Sequence, residues 1–199
     1  MVMGDLKAKG YAISNVGSLD GYRDESDQIG KMWFEADIKL IKGREYGAHN
    51  ARKLDFHTDS PSANVVGWYC ESVGVPTLLK DMSGLTLDMT TLEILKGIKC
   101  ACPAIDRRLF NHYPIFDHND NGSRIYYAPW FVNRDGLLPQ QVKALEVLDA
   151  AIKKLSIIEV QLAKGHALYV DNGRVLHGRG AVESDSKRHL VRHWIGVTS

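Results

Sequence analysis

The sequence predicts a mainly β chain, a β-sandwich or jelly roll with helices packed outside it. Three observations carry that expectation. Short extended segments separated by turn residues recur along the 199 residues. Only two stretches show sustained helical spacing, and the last thirty-odd residues read as three consecutive extended segments.

Residues 10–18 (GYAISNVGS) read as a short strand ending in a turn, and residues 19–31 as polar and irregular or helical. Residues 31–42 (KMWFEADIKLIK) mix apolar and charged side chains, so helix and strand both remain open there, and residues 43–52 are loop-like. In residues 54–59 (LDFHTD) the side chains alternate, with Leu54, Phe56 and Thr58 on one side and Asp55, His57 and Asp59 on the other. Ser60-Pro61-Ser62 interrupts the segment, residues 64–70 (NVVGWYC) resume as a buried strand, and residues 74–82 give a turn and another strand. A helix is expected over 86–98, where Leu87, Leu92, Leu95 and Ile98 recur near helical spacing and Gly97 stands at the end. Residues 106–132 read as strand, loop, strand around the turn at 119–122. Pro139 opens a second helix whose apolar stripe is Val142, Leu145, Leu148, Ile152 and Leu155, a core-packing face.

The terminal segments open with an apolar run, 167–170, that stops at Asp171-Asn172-Gly173, a strong hairpin signal. Residues 174–179 hold His177. Beyond a polar turn at 183–187, Arg188, Leu190, Arg192 and Trp194 share one face of a third segment.

Hydrophobic residues at 44% and charged residues at 25% are ordinary for a globular protein, and the length fits a single domain over residues 1–199. A net charge of +1 gives no electrostatic case for nucleic acid or an anionic membrane. Three cysteines make a disulfide framework unlikely to be the organising device, and a reduced, cytoplasmic protein is the expectation. Cys100-Ala101-Cys102 lacks the spacing of Cys-x-x-Cys sites and reads as free thiols, while His112 and His118 read as solvated loop residues.

The chemistry begins at His57-Thr58-Asp59. Imidazole and carboxylate two residues apart on a strand face one way and can share a metal, or form a hydrogen-bonded surface pair. Adding His177 completes two histidines and a carboxylate, the facial set of non-haem Fe(II) oxygenases, which leaves three positions open. A buried Arg192 needs a carboxylate partner, and no acidic side chain of its own segment shares its face. A bound dicarboxylate or a distant surface acid would fill that need.

These pieces resemble the TauD/TfdA, clavaminate-synthase-like Fe(II)/2-oxoglutarate-dependent dioxygenases. The matching motifs are Phe56-His-Thr-Asp59, Gly74-Val-Pro-Thr77, Gly165-His-Ala-Leu-Tyr-Val-Asp-Asn172, Val175-Leu-His-Gly-Arg179 and Arg188-His-Leu-Val-Arg192. They stand in the family's order, and the resemblance covers roughly residues 10–197. It implies a double-stranded β-helix (jelly roll, cupin-like), with Fe(II) on His57, Asp59 and His177. It implies that Arg192 and Thr77 hold the distal carboxylate of 2-oxoglutarate, with Arg188 close by. It also implies that O2 and the cosubstrate oxidise a C–H bond of a small polar substrate, such as an amino acid or related acid, with release of succinate and CO2. Ser60, Asn64 and Arg179 stand near enough to these motifs to meet substrate.

Two departures are visible. The family's Gly-Gly-x-Thr is Gly-Val-Pro-Thr here, and the segment between residues 105 and 132 is short, which implies an open pocket or a cover from another subunit. An aspartate at position 59 argues for hydroxylation or a related oxidation over halogenation. The alternatives are a catalytically silent jelly-roll metal-binding module, and a cupin-like metal enzyme without 2-oxoglutarate, which leaves Arg192 without a role.

Overall fold

The strand Val65–Ser72 (β4, after β1 Tyr11–Asn15, β2 Lys31–Lys39 and β3 Leu54–His57) is rich in apolar residues and buried along nearly its whole length. Such a strand needs cover on both faces. In the computed structural model, which describes residues 2–43, 47–103, 110–119, 122–183 and 186–196, it has both. Two helices, α1 (Val2–Lys9) and α2 (Leu19–Ile29), frame β1. β5 is Thr77–Asp81, α3 is Met89–Lys96, and β6 to β9 are Lys99–Pro103, Phe110–Pro114, Phe116–Asn119 and Gly122–Ile125. α4 (Pro139–Lys154) precedes β10 (Ile158–Val160), β11 (His166–Asp171), β12 (Val175–Arg179) and β13 (His189–Gly196).

The strands form a five-stranded sheet in the order β1-β11-β4-β13-β2 and a four-stranded sheet in the order β10-β5-β12-β3. Their pairings are antiparallel throughout. Val66, Trp68, Leu168 and Leu190 of the larger sheet pack against Leu79, Val160 and Val175 of the smaller one. Tyr69, Tyr169, Val191 and Ile195, on the outer face of the larger sheet, pack under α1 and α2. Leu176, on the outer face of the smaller sheet, packs with Leu95, Leu145, Leu148 and Ile152 of α3 and α4. This is the jelly roll with flanking helices that the short-strand pattern predicts.

Several elements resolve what the sequence left open. Residues 31–39 are a strand, because they pair with β13 along nearly their whole length. The helix expected over 86–98 begins only at Met89, since the Asp88 carboxylate accepts the Thr91 N–H at 2.8 Å and caps it there. Cys100 and Cys102 lie in β6, an unforeseen strand, as buried thiols that are not joined in a disulfide. The turn expected at 119–122 includes residues 120 and 121, which lie outside the described residues.

One expectation is overturned. Asp171-Asn172-Gly173 does not join a hairpin: β11 and β12 belong to different sheets, and the turn carries the chain from one to the other. Its anchors are non-local. Asp171 N–H donates to Gly10 O at 2.8 Å, and Asn172 N–H to Asn64 O at 3.0 Å. Arg174 then grips Asp81 at 2.9 and 2.6 Å while donating to Lys7 O and Ala8 O at the end of α1.

Helix α2 is tied to the larger sheet by a polar chain. Arg23 donates to both Glu35 oxygens at 2.9 and 2.8 Å, and buried His193 donates through Nε2 to Glu35 Oε2 at 2.8 Å. The Arg23 hydrogen bonds are the chief reason the Glu35 carboxyl is lowered to about 2, while its partial burial works the other way. A carboxyl lowered on folding stabilises the protein above its unfolded value of about 4.3, and that contribution is lost as pH falls toward about 2. Glu35→Gln is therefore expected to lower the urea midpoint at pH 7. Its deficit against the wild type should shrink as the pH is taken from 5 down to 3, as followed by circular dichroism.

Candidate metal centre

Strand register brings the two histidines together. His177 of β12 stands directly opposite His57 of β3, and the ring centroids are 4.4 Å apart. Cross-strand partners of this kind have Cβ atoms about 5 Å apart, so the pairing alone delivers both imidazoles to one point. Just beyond, Gly178 lies where a Cβ would come within 2.8 Å of Leu54 O. The pairing slips by one residue there. His57 Nδ1 donates to Asp55 O at 2.8 Å, which leaves Nε2 with its lone pair. Burial, then the neighbouring His177, pushes the His57 imidazole down to about 3, so it is neutral at ordinary pH.

Asp59 is not on the strand. β3 ends at His57, and Asp55, expected on the same face, turns outward to Lys53 at 3.0 Å. Asp59 reaches the histidines because residues 58–63 are held from elsewhere. Thr58 exchanges hydrogen bonds with Tyr127 at 2.9 Å each way. The Asn172 side chain, 2% exposed, accepts the Asp59 N–H at 2.8 Å and donates to Ser60 O and Ala63 O at 2.9 and 3.0 Å. Asn172 is thus a site residue hidden inside what reads as a turn signal. The signal that marks it is its place in the motif ending Val170-Asp171-Asn172, not its turn propensity.

His57 Nε2 and His177 Nε2 each lie 3.8 Å from Asp59 Oδ1, and the three ligand atoms fall within 4.8 Å of one another. All three side chains are buried. Burial by itself would raise the Asp59 carboxyl. Arg192 and the two histidines outweigh it and hold the group well below the usual carboxylate range. Trp130 packs against His57 at 4.9 Å, and Trp68 stands edge-on to His177 at 4.8 Å.

The centre opens on a cavity of about 310 Å³. Ser60, Thr77, Arg179, Arg188 and Arg192 line it beside the three ligand candidates, so eight of the nine residues singled out in the sequence converge. Asn64 does not. Its backbone bonds to Ile195 and Asn172, and it plays no part in the wall. Arg179 is 3% exposed, and although it lines the cavity its guanidinium is taken up by backbone carbonyls. Its guanidinium donates to the carbonyls of Arg52 and Gly180 at 2.8 and 3.1 Å, with Ala48 and Asn50 also accepting, and so clasps the loop whose residues 47–49 form part of the wall.

Arg192 has an acidic partner within the chain. It finds its carboxylate in Asp59, with Nη1 at 3.2 and 3.0 Å from the two oxygens. Arg188, 8% exposed, has no ion pair among the described residues, and only its backbone N–H donates, to Ser186 Oγ at 3.3 Å. Desolvation, then the nearby Arg179, pushes its guanidinium down to about 10. Gly74 makes room for it: a Cβ there would fall 2.6 Å from Arg188 Cβ and Cγ. Arg188 and Thr77 line both the cavity and a small adjoining chamber. The segment expected to form less cover than usual includes residues 104–109, which lie outside the described residues; Trp130, 48% exposed, stands at the cavity wall.

The model of the taurine catabolism dioxygenase TauD, TfdA family matches residues 94–194, just over half of the chain. That stretch contains His177 and the three arginines. Among solved structures, the non-heme iron oxygenase OrfP in complex with Fe and alpha-ketoglutaric acid is 16% identical. The match covers 99% of this chain and 78% of that one, with a TM-score of 0.73. Asparagine oxygenase in complex with Fe(II), 2S,3S-3-hydroxyasparagine and succinate is 15% identical over 98% of this chain and 77% of its own, with a TM-score of 0.77. Among curated protein sequences, none matches. At this identity the likeness shows a shared fold.

Removing the Asn172 carboxamide leaves the Asp59 N–H and two carbonyls without partners. Asn172→Ala is expected to cost on the order of 2 kcal/mol in urea unfolding. It should also weaken Co(II) binding more than a surface control such as Lys143→Ala does, as measured by anaerobic titration.

Proposed function

The chain belongs to the taurine catabolism dioxygenase TauD, TfdA family, whose members are Fe- and 2-oxoglutarate-dependent oxygenases, and we propose that residues 1–199 act as one such domain with Fe(II) held by His57, Asp59 and His177. The observation that carries the assignment is the convergence of two imidazole Nε2 atoms on a single oxygen of Asp59, at 3.8 Å each. The donor set fits the metal. Both imidazoles are buried, His57 is held by Asp55 in the tautomer that presents Nε2, and the carboxylate is ionised. When bound, the metal supplies the redox chemistry of O2 activation, with 2-oxoglutarate giving two electrons as it becomes succinate and CO2.

The protein's own part is placement. Arg188 and Thr77 receive the distal carboxylate of 2-oxoglutarate, in place of the Arg192 and Thr77 pair expected from the sequence. An ionised guanidinium buried without an acid is costly, and a carboxylate in the space it shares with Thr77 relieves that cost. Arg192 serves Asp59. The indoles of Trp68 and Trp130 exclude water beside the histidines. Ser60 and the aromatic wall meet the substrate. A small polar molecule such as an amino acid fits the cavity, a reading supported by the hydroxyasparagine and asparagine oxygenase named for one structural neighbour.

Anaerobic addition of Fe(II) and 2-oxoglutarate should give a visible charge-transfer band in the wild type. Arg188→Ala should weaken cosubstrate affinity by about a hundredfold, the order expected for a buried charge-assisted pair. Arg192→Ala should leave it within a few fold. The reverse ranking would return the distal carboxylate to Arg192. A band with no succinate formed under O2, across amino acids and small organic acids, would mark the chain as a silent binding module.

A further inference from the structure

The two oxygens of Asp59 have different surroundings. Oδ1 faces both histidine Nε2 atoms at 3.8 Å. Oδ2 accepts the indole N–H of Trp194 at 2.8 Å and Arg192 Nη1 at 3.0 Å. Arg192 also reaches Oδ1, at 3.2 Å, so it neutralises the carboxylate without choosing between its oxygens. The indole touches Oδ2 alone. A single N–H directed at one oxygen fixes rotation about the last side-chain bond of Asp59, which is otherwise broad.

Trp194 is itself held in place. Its ring packs against Phe34 at 4.4 Å and Trp33 at 5.2 Å, both on β2. The Arg192 guanidinium lies 5.1 Å from its centroid. In β13 the pairing with β2 slips between Trp194 and Ile195, a local irregularity at the residue that must aim the N–H. Trp194 also lines the cavity, as do Asp59 and Arg192.

We propose that Trp194 is a positioning residue: its indole N–H reserves Asp59 Oδ2, so that Asp59 offers the metal one oxygen and leaves a coordination position open for cosubstrate and O2. This rests on the iron-site reading of His57, Asp59 and His177. A carboxylate free to turn closes on the metal with both oxygens and takes up one of the three open positions that a two-histidine, one-carboxylate set leaves. Partners that orient a metal ligand are worth about ten- to a hundredfold in metal affinity or activity.

The test uses Co(II) as an optical probe under anaerobic conditions. Trp194→Phe keeps an aromatic ring against Phe34 and Trp33 and removes only the donor. With far-UV circular dichroism matching the wild type, it should bind Co(II) about tenfold more weakly. Its visible d–d band should change in shape, reporting an altered oxygen count, and Trp194→His, which restores a ring N–H, should recover part of the wild-type spectrum. A Trp194→Phe protein with wild-type affinity and band shape overturns the proposal while leaving the metal site intact. Wild-type protein that binds no Co(II) overturns both. Should Trp194→Phe fail to fold, the wild-type indole N–H decides by nuclear magnetic resonance with Zn(II): slow exchange of the Trp194 proton in the Zn(II) complex supports the hydrogen bond, and rapid exchange overturns it.

Discussion

A carboxylate buried beside two imidazoles is the demand around which this molecule is arranged. Asp59 is 9% exposed and ionised, and an isolated anion in such a place is strongly disfavoured. Three groups from distant parts of the chain meet the demand: Arg192 and Trp194 on its oxygens, and Asn172 on its backbone. Sequence separations of 113 to 135 residues divide Asp59 from these partners. The site therefore exists only when both sheets are folded and facing. It is a property of the assembled jelly roll, not of any local motif.

β13 is the strand through which the outer layer reaches the site. It lies between β4 and β2 and presents opposite faces by simple alternation. Arg192 and Trp194 point to the cavity, while Val191, His193 and Ile195 point to α2. His193 is wholly buried, stacked on Tyr22 at 4.0 Å, with Nδ1 lying 2.9 Å from Ser26 Oγ and Nε2 tied to Glu35. Packing this dense transmits displacement. The setting of α2 on the sheet thereby bears on the strand that aims the arginine and the indole at Asp59.

Much of this was legible in the sequence, and the failures share a cause. The strands at 10–18, 64–70 and 74–82 and the helix opening at Pro139 follow from local patterns that tertiary packing reinforces. His57, Asp59 and His177, by contrast, are legible only as pieces of separate motifs that the fold brings together. Residues 31–39 could not be placed, because Met32, Trp33 and Phe34 stand consecutively and break the alternation that marks a strand. The turn at Asp171-Asn172-Gly173 was misassigned because hairpin chemistry and a sheet-to-sheet crossing use the same residues. Only the distant anchors Gly10 and Asn64 tell them apart. Trp194 appeared merely as a member of an alternating face. Its hydrogen bond depends on a loop that ends more than a hundred residues earlier.

The three arginines that follow His177 show where sequence reasoning stops and accounting for hydrogen-bonding groups takes over. All three are largely removed from solvent and line the same cavity, so spacing and alternation treat them alike. A buried guanidinium must nevertheless be answered by acceptors, and here the three answers differ. Arg179 is answered by backbone carbonyls, which makes it a clasp on a loop. Arg192 is answered by Asp59, which makes it the counter-charge of that carboxylate. Arg188 alone of the three has neither a carbonyl nor an acidic partner for its guanidinium among the described residues. The fold keeps it there at a cost, with Gly74 cleared to admit its stem. A cation held in place with neither carbonyl clasp nor acid is the feature on which the proposed seat for an incoming carboxylate rests, in the cavity that Arg188 and Thr77 both line.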